Sequence, residues 1–338
     1  MAMTIYDISK KAGVSIATVS RVLNGSENVR PSTRKKVMDV IDKYDYTPNA
    51  FARGMGLHSL KTIGILCADS SDLFLAKAVY FLEQELQANG YESLLCCTGY
   101  NPDIKKNYLN LILSKKVDSI ILVGSHFIGF NEDENQYIKD VSTQVPIMLL
   151  NASFDHPNVY STLCDDYGTM FEAATEMIQS GITDILYLYD SKSYSGLKKL
   201  HGFCDAMKEH NIPGFEKLIH FYDGNIEHLN EVADFVARIA TKGTSFHGIM
   251  TSDDSLAIGS IKYAQKKGIR IPKELSVMGY NNSMLTNCCT PELTSVDNRL
   301  ETQTHQLVQT LLGVLAGEEM PKKSIFSGKI IKRGTTLF

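Results

Sequence analysis

The 338-residue sequence predicts an α/β chain. A three-helix head containing a helix-turn-helix comes first, then a short connector, then two doubly wound parallel-sheet lobes. Three observations carry this. The first 46 residues hold three short amphipathic helical patterns punctuated by Gly13 and Pro31. From Thr62 onward, apolar strand-like runs alternate with helical runs, the rhythm of a parallel sheet covered on both faces. That rhythm restarts near Asp166, which gives a second sheet and a cleft between the two.

In the head, Thr4 is placed to cap a helix whose first turn gains negative charge from Asp7. Ile5, Ile8 and Ala12 share one face of it. Gly13 stands where the helix end needs positive φ, and Ser15 caps the next helix. Val14, Val19, Val22 and Leu23 form the buried side of that second helix; Ile16, Ala17, Ser20 and Arg21 show on the other, and Asn24-Gly25 ends it. Pro31 opens a third helix with Val37, Val40, Ile41 and Tyr44 on its inner face. A capped helix, a glycine turn and a second helix with an exposed polar N-terminal face make the unit whose second helix enters the DNA major groove. The connector, PNAFARGMGLHSLKT, contains Gly54 and Gly56 and is too short to be a stable isolated helix, so it is expected to order on a partner.

In the body, strands are expected at TIGILCA, YESLLCCT, DSIILVG, VPIMLLN, DILYLYD, FHGIMTS and ELSVMGY. Helices are expected at residues 73–88, 103–113, 167–179, 197–209, 255–267 and 300–315, with a last strand from Ile325 to Ile331. The strand ends are polar: Asp69 to Asp72, Thr98, Ser125, Asp190, Asp253-Asp254 and Asn281-Asn282. In open α/β sheets ligands sit beyond those ends, where carboxylate and amide oxygens suit a hydroxyl-rich molecule. Each such Asp or Asn is equally suited to capping the helix that follows it.

Composition sharpens the division. Residues 1–62 hold ten Lys/Arg against five Asp/Glu, whereas the remainder holds 24 against 33. A basic head on an acidic body fits a head that meets phosphate and a body that does not. The sequence opens without a signal-peptide core and has no apolar run of 18 residues, so a cytoplasmic protein is expected. Seven cysteines without framework spacing read as free thiols in a reducing compartment.

These stretches resemble the lactose/galactose repressor family of bacterial transcription regulators along nearly the whole chain. The head matches at TIYDISKKAGVS, ATVSRVLNG, TRKKV and YTPNAFARGM; the body at TIGIL, VDSIIL, HGF, DSLAIG, VMGYNN, PELTSV and KRGTT. The resemblance implies a homodimer reading a near-palindromic double-stranded operator, with a periplasmic-binding-protein-like core controlled by a small carbohydrate-type effector. It implies no cofactor and no metal. It divides the chain into a head (1–48), a hinge helix and linker (49–61) and a core (62–338). Lobe 1 would comprise 62–162 plus 293–322, and lobe 2 would comprise 163–292 plus 323–338.

Carried over residue by residue, Ile16, Ala17 and Arg21 would contact bases. Thr4, Thr18, Ser20 and Asn24 would hold phosphates, with Ser15 at the same helix start. Arg21 alone can grip guanine O6 and N7 bidentately. Asn49, Ala52, Arg53 and Met55 would belong to the hinge, Met55 wedging the minor groove in place of the family's leucine. Effector contacts would come from Asp72, Phe74, Ser125, Asp166, Lys199, Asp254 and Asn281. The chain departs from the family at Lys199 for arginine, Asn281 for Asp, Arg299 for Pro, Arg30 for the usual Ser cap and Gly224 for a stacking aromatic, with Phe221 and Tyr222 near. Lys199 leaves room for an anionic ligand, so a core answering to a phosphorylated metabolite or a partner protein stands as the alternative. An enzyme is not expected: P-loop, H-E-x-x-H, G-x-S-x-G and zinc spacings are all missing from the sequence. A pure solute-binding protein would have no use for the basic head.

Overall fold

The computed structural model describes residues 3–23, 26, 28–46, 59–241 and 243–338. The chain divides into two compact units, residues 1–62 with 116–118, and the remainder.

In the head, α1 (Ile5–Ala12), α2 (Ile16–Leu23) and α3 (Pro31–Lys43) close on a small core of Ile8, Val19, Val22, Val29, Val37 and Ile41. Thr4 and Asp7 cap α1 reciprocally: the Asp7 amide donates to Thr4 Oγ1 at 3.3 Å and the Thr4 amide to Asp7 Oδ2 at 3.0 Å. Gly13 ends α1 at φ 64°, a left-handed conformation that lets the chain turn at once into α2. Ser15 then caps α2, accepting the Thr18 amide at 3.2 Å. One detail differs from the sequence expectation and one follows from it. Tyr44 is exposed beyond the end of α3 with the Lys11 ammonium 4.3 Å from its ring centre, because the helix stops at Lys43 and the ring finds a cation instead of the core. Arg30 precedes α3 without a capping bond, as its side chain has no acceptor to offer. Asn24, Gly25, Asn49, Ala52, Arg53 and Met55, with the hinge expectation itself, lie outside the described residues.

Among the described residues the body holds twelve strands in two six-stranded sheets. The first is built from β1 (Thr62–Cys67), β2 (Glu92–Cys97), β3 (Ser119–Val123), β4 (Ile147–Leu150), β5 (Val159–Cys164) and β11 (Lys323–Phe326), in the order 11-5-4-3-1-2. The second is built from β6 (Ile185–Tyr189), β7 (Ile219–Phe221), β8 (Gly248–Thr251), β9 (Ser276–Tyr280), β10 (Thr294–Asp297) and β12 (Lys329–Ile331), in the order 12-10-9-8-6-7. β12 runs antiparallel to β10, whereas β6, β8, β9 and β10 are parallel neighbours, as are β1, β3, β4, β5 and β11. The central strands β1, β3 and β4 are buried almost end to end, which is why they read as continuous apolar runs.

Helices cover both faces. In lobe 1, α4 (Leu73–Ala88) turns Leu75, Ala78, Leu82 and Leu86 inward, one turn apart, against Leu307, Val308 and Leu311 of α11 (Leu300–Leu315). α5 (Pro102–Ser114) and α6 (Gln136–Ser142) complete that lobe. In lobe 2, α7 (Asp166–Gln179) lies against α8 (Tyr194–Glu209), and α9 (Leu229–Thr241) against α10 (Asp254–Lys267). Gly202 sets the spacing of α7 and α8, since a Cβ there would strike the Tyr167 carbonyl oxygen. The motif HGF thus marks a helix contact. The short α6 and β7, together with α9, β5 and β10, are additions to the sequence reading.

The tail corrects that reading. The single strand expected from Ile325 to Ile331 is two edge strands in different sheets, β11 and β12, divided at Ser327-Gly328. Likewise β10 belongs to the second sheet and β11 to the first, so the lobe exchanges fall near 165, 298 and 327 instead of 163, 293 and 323. Apolar continuity cannot distinguish one edge strand from two. Gly328 permits the crossing because the chain passes so close to Thr169 that a Cβ would lie 2.6 Å from its methyl carbon. At the neighbouring crossing Arg299 has φ 59°, a conformation barred to the family's proline.

Candidate functional site

On the head, α2 presents Ser15, Ile16, Ala17 and Arg21 to solvent, while Thr18 and Ser20 are half-buried and Thr4 is exposed. Val19 and Val22 face inward and anchor the helix. Ile16 keeps 38% of its surface exposed, an apolar side chain held outward on the helix that also exposes Arg21. The capped N-terminus of α2, its outward Arg21 and an apolar contact side chain are the parts a major-groove reader needs.

The body's site follows from its strand order. Each sheet reverses its winding once, between β1 and β3 in the first and between β6 and β8 in the second. Connections leave to opposite sides at such a switch point, opening a crevice beyond the strand ends. Asp69 and Asp72 follow β1, Ser125 follows β3, Asp190 follows β6 and Asp253 follows β8. The two crevices face each other and enclose a cavity of about 660 Å³, with Asp69, Asp72, Tyr100 and His126 on one wall and Asp190, Ser191, Ile226 and Asp253 on the other. A narrower inner part reaches Phe74, Ser125, Ser193, Lys199 and Asn281.

The carboxylates are held in place by local bonds. Asp72 caps α4, accepting the Leu75 amide at 2.8 Å. Asp253 caps α10, accepting the Ser255 amide at 2.7 Å and the Asn281 side-chain amide at 2.8 Å. Asp190 accepts from the Ser252 hydroxyl at 2.8 Å. Burial, and then the facing carboxylates Asp253 and Asp190, push Asp72 up to about 6. Burial followed by Asp190 raises Asp253. At Asn281 the amide supplies a donor where an aspartate would set two like charges face to face. Its φ of 97° is one that asparagine tolerates better than most residues.

The aromatic surface comes from lobe 1. Tyr100 and His126 meet edge to face with ring centres 4.8 Å apart. Burial, then the Lys105 ammonium, holds His126 down to about 4, so its ring is neutral. Burial and the acids Asp72, Asp69 and Asp190 push Tyr100 up to about 12. Near Gly224, Tyr222 is buried against Phe235 in the lobe core and Phe221 packs on Tyr189 outside it. Ile226 lines the cavity instead.

Five of the seven effector positions read from the sequence therefore border the cleft: Asp72, Phe74, Ser125, Lys199 and Asn281. Asp166 and Asp254 do not. Asp166 lies behind the wall, accepting from Ser195 at 2.5 Å and Tyr280 at 2.6 Å. Asp254 points into lobe 2, accepting from the Ser295 hydroxyl and the Ser283 amide, each at 2.6 Å; burial, then Asp253, pushes it up to about 7. Both sit at the first position of a helix, where the side chain turns back into the protein. Lys199 borders the cleft but spends its ammonium on the Ser252 carbonyl at 3.1 Å and the Tyr280 ring, 3.9 Å from the ring centre. Tyr100, His126 and the serines of 191–195 were missed as site residues, since only the sheet order brings their loops to the cleft.

The head matches the model of bacterial regulatory proteins of the lacI family over residues 4–49, and residues 174–336 match a periplasmic binding protein-like domain. An HTH-type transcriptional regulator of Lachnoclostridium phytofermentans is 50% identical over 99% of this chain and 100% of its own. The chain belongs to the LacI family. This LacI-family chain is also 33% identical to catabolite control protein A of Priestia megaterium over 88% of its length and 87% of the relative's. Its fold is that of the lac repressor dimer bound to operator and the anti-inducer ONPF, at 20% identity with a TM-score of 0.89, both chains covered in full. Its family makes it a DNA-binding transcriptional regulator and not an enzyme. Among the described residues no helix is long and apolar enough to cross a membrane.

Proposed function

We propose that this regulator is a cytoplasmic repressor that binds a near-palindromic operator as a homodimer and takes a carbohydrate in its interlobe cleft. The observation that carries the reading is the cavity of about 660 Å³, walled by carboxylate and hydroxyl acceptors with an aromatic edge. Hydroxyl-rich ligands are gripped by acceptors at their edges and by ring surfaces at their apolar faces. Support comes from the lac repressor dimer, seen with operator and ONPF, and from a sugar-binding transcriptional regulator of the LacI family from Escherichia coli, 25% identical over 82% of this chain with a TM-score of 0.71.

On this reading Ile16, Ala17 and Arg21 read bases, and Thr4, Ser15, Thr18 and Ser20 hold phosphates. Asp72, Phe74, Ser125 and Asn281 border the ligand, Lys199 braces the cleft wall, and Asp166 and Asp254 support it from behind. The domain limits proposed are a head of 1–48, a connector of 49–61 and a core beyond. The ligand changes operator affinity by biasing the closure of the lobes, a coupling of roughly 1–3 kcal/mol in typical cases. The test is an operator selected from random duplexes, titrated by fluorescence anisotropy with and without a sugar panel. A sugar that moves the midpoint supports the reading. Operator binding indifferent to every sugar removes the carbohydrate, and failure to select any duplex at low salt removes the repressor.

A further inference from the structure

The interlobe cavity has a charge pattern that bears on its ligand. Acidic side chains enter it from both lobes: Asp69 and Asp72 from the first, Asp190 and Asp253 from the second, with Glu227 at its rim. The Lys199 ammonium borders the inner part of the cavity, but it is buried, bonded to the Ser252 carbonyl and laid on the Tyr280 ring, so it offsets the carboxylates only in part and from within the wall. The His126 ring borders the cavity uncharged, with Lys105 turned away to the His126 carbonyl oxygen at 2.6 Å. Asp72 already feels Asp253 and Asp190 across the cavity, a neutral ligand leaves that repulsion in place, and like charges in a water-poor site repel strongly.

We propose that the effector carries a protonated primary amine, of the amino-sugar class, with its ammonium seated among Asp72, Asp190 and Asp253 while its ring hydroxyls meet the serines and its face meets Tyr100. This rests on the carbohydrate reading above and narrows it. An ammonium offers three donors and no acceptor, matching carboxylate oxygens that have lone pairs left after their capping bonds. It is also the charge that offsets that repulsion. A phosphorylated ligand meets the opposite situation on both walls.

Proton linkage follows. Asp72 is held up near 6 by burial and by Asp253 and Asp190, with Asp69, Tyr100, the neutral His126, Glu227 and the turned-away Lys199 as its other ionisable surroundings. The ion pair needs the carboxylate and the ammonium together, so affinity falls as pH drops through about 6 and falls again in alkali as the amine loses its proton.

The experiment is titration calorimetry of the full-length protein with matched probes: glucosamine and glucose, galactosamine and galactose, their β-linked disaccharides, and glucosamine 6-phosphate, at pH 7.5 and 5.5. The expected result is at least one amine probe binding about tenfold more tightly than its neutral parent at pH 7.5, that ratio shrinking at pH 5.5. Asp190→Asn keeps an acceptor for the Ser252 hydroxyl and is expected to weaken the amine probe more than its neutral parent, so that the ratio between the two shrinks. A neutral or phosphorylated probe binding as tightly as its amine counterpart overturns the proposal and leaves the carbohydrate reading standing. Heat from no probe at all overturns both.

Discussion

The hydroxyl of Ser125 donates to that of Ser193 at 2.8 Å, and this bond joins the two lobes at the floor of the cleft. Ser125 opens the short turn after β3, and Ser193 caps α8, accepting the Gly196 amide at 3.3 Å. The contact between the lobes is therefore made by neutral groups while the carboxylates around it repel one another. Such a balance suits a switch, since a modest ligand contribution decides it.

Ser125→Ala removes that contact. A buried neutral hydrogen bond contributes about 1 kcal/mol net, so the open form is expected to gain about fivefold in population. Interlobe distances from pulsed electron paramagnetic resonance of spin-labelled protein read this directly. An unchanged distribution contradicts this role of the contact.

Arg21→Ala tests the reading head. Loss of a bidentate guanine contact is expected to weaken the selected operator by about 1–3 kcal/mol and to relax preference at one base pair. A change at a phosphate-holding position such as Thr18 is expected instead to weaken all duplexes alike. Competition anisotropy at fixed salt separates the two, and uniform weakening by Arg21→Ala argues against base contact.

Lys199→Met tests the bracing role. Burial raises Asp166, and Lys199 is the strongest influence holding it down. Without that ammonium the buried carboxylate is uncompensated, a destabilisation at the lower end of the ~3–5 kcal/mol range because the two groups are not in direct contact. The loss is expected to be larger at pH 8 than at pH 5, because burial raises Asp166 and acid moves it toward the neutral form that needs no counter-charge. Urea melts of the full chain at both values measure it, and equal losses contradict the assignment.

The unliganded protein is expected to melt higher at pH 5 than at pH 8. Asp72 at about 6 and Asp254 at about 7 are both raised above the usual carboxylate value of 3.8, so the folded state binds more protons than the unfolded chain. Their contribution is full in acid and is lost as pH rises from about 4 to about 7. His126, lowered from 6.5 to about 4, works in the opposite direction and offsets part of the slope. Asp254→Asn is expected to flatten the profile. Calorimetric melts across the range provide the check, and a rising profile from 5 to 8 contradicts the two assignments.

Much of the site was legible in the chain because its groups sit at strand ends. Asp72, Ser125, Asp190, Asp253 and Asn281 all follow apolar runs that could be read as strands. What misled was orientation. Asp253 and Asp254 are adjacent, yet one faces the cleft and the other the core, because consecutive residues at a helix start diverge by about 100°. Tyr100 and His126 gave no local signal, since nothing in their own segments says that β2 and β3 lie on either side of β1.

The sequence by itself determined the local matters: the capped helix-turn-helix, the basic head on an acidic body, and the alternation of buried strands with amphipathic helices. Each depends on residues within a few positions of one another, where hydrogen-bonding groups and periodicity speak directly. Only the tertiary structure decided the strand order, the division of the tail between two sheets, and which acids confront each other across the cavity. These are pairings between segments far apart in the chain, fixed by how whole sheets and helices pack, and no single segment carries them.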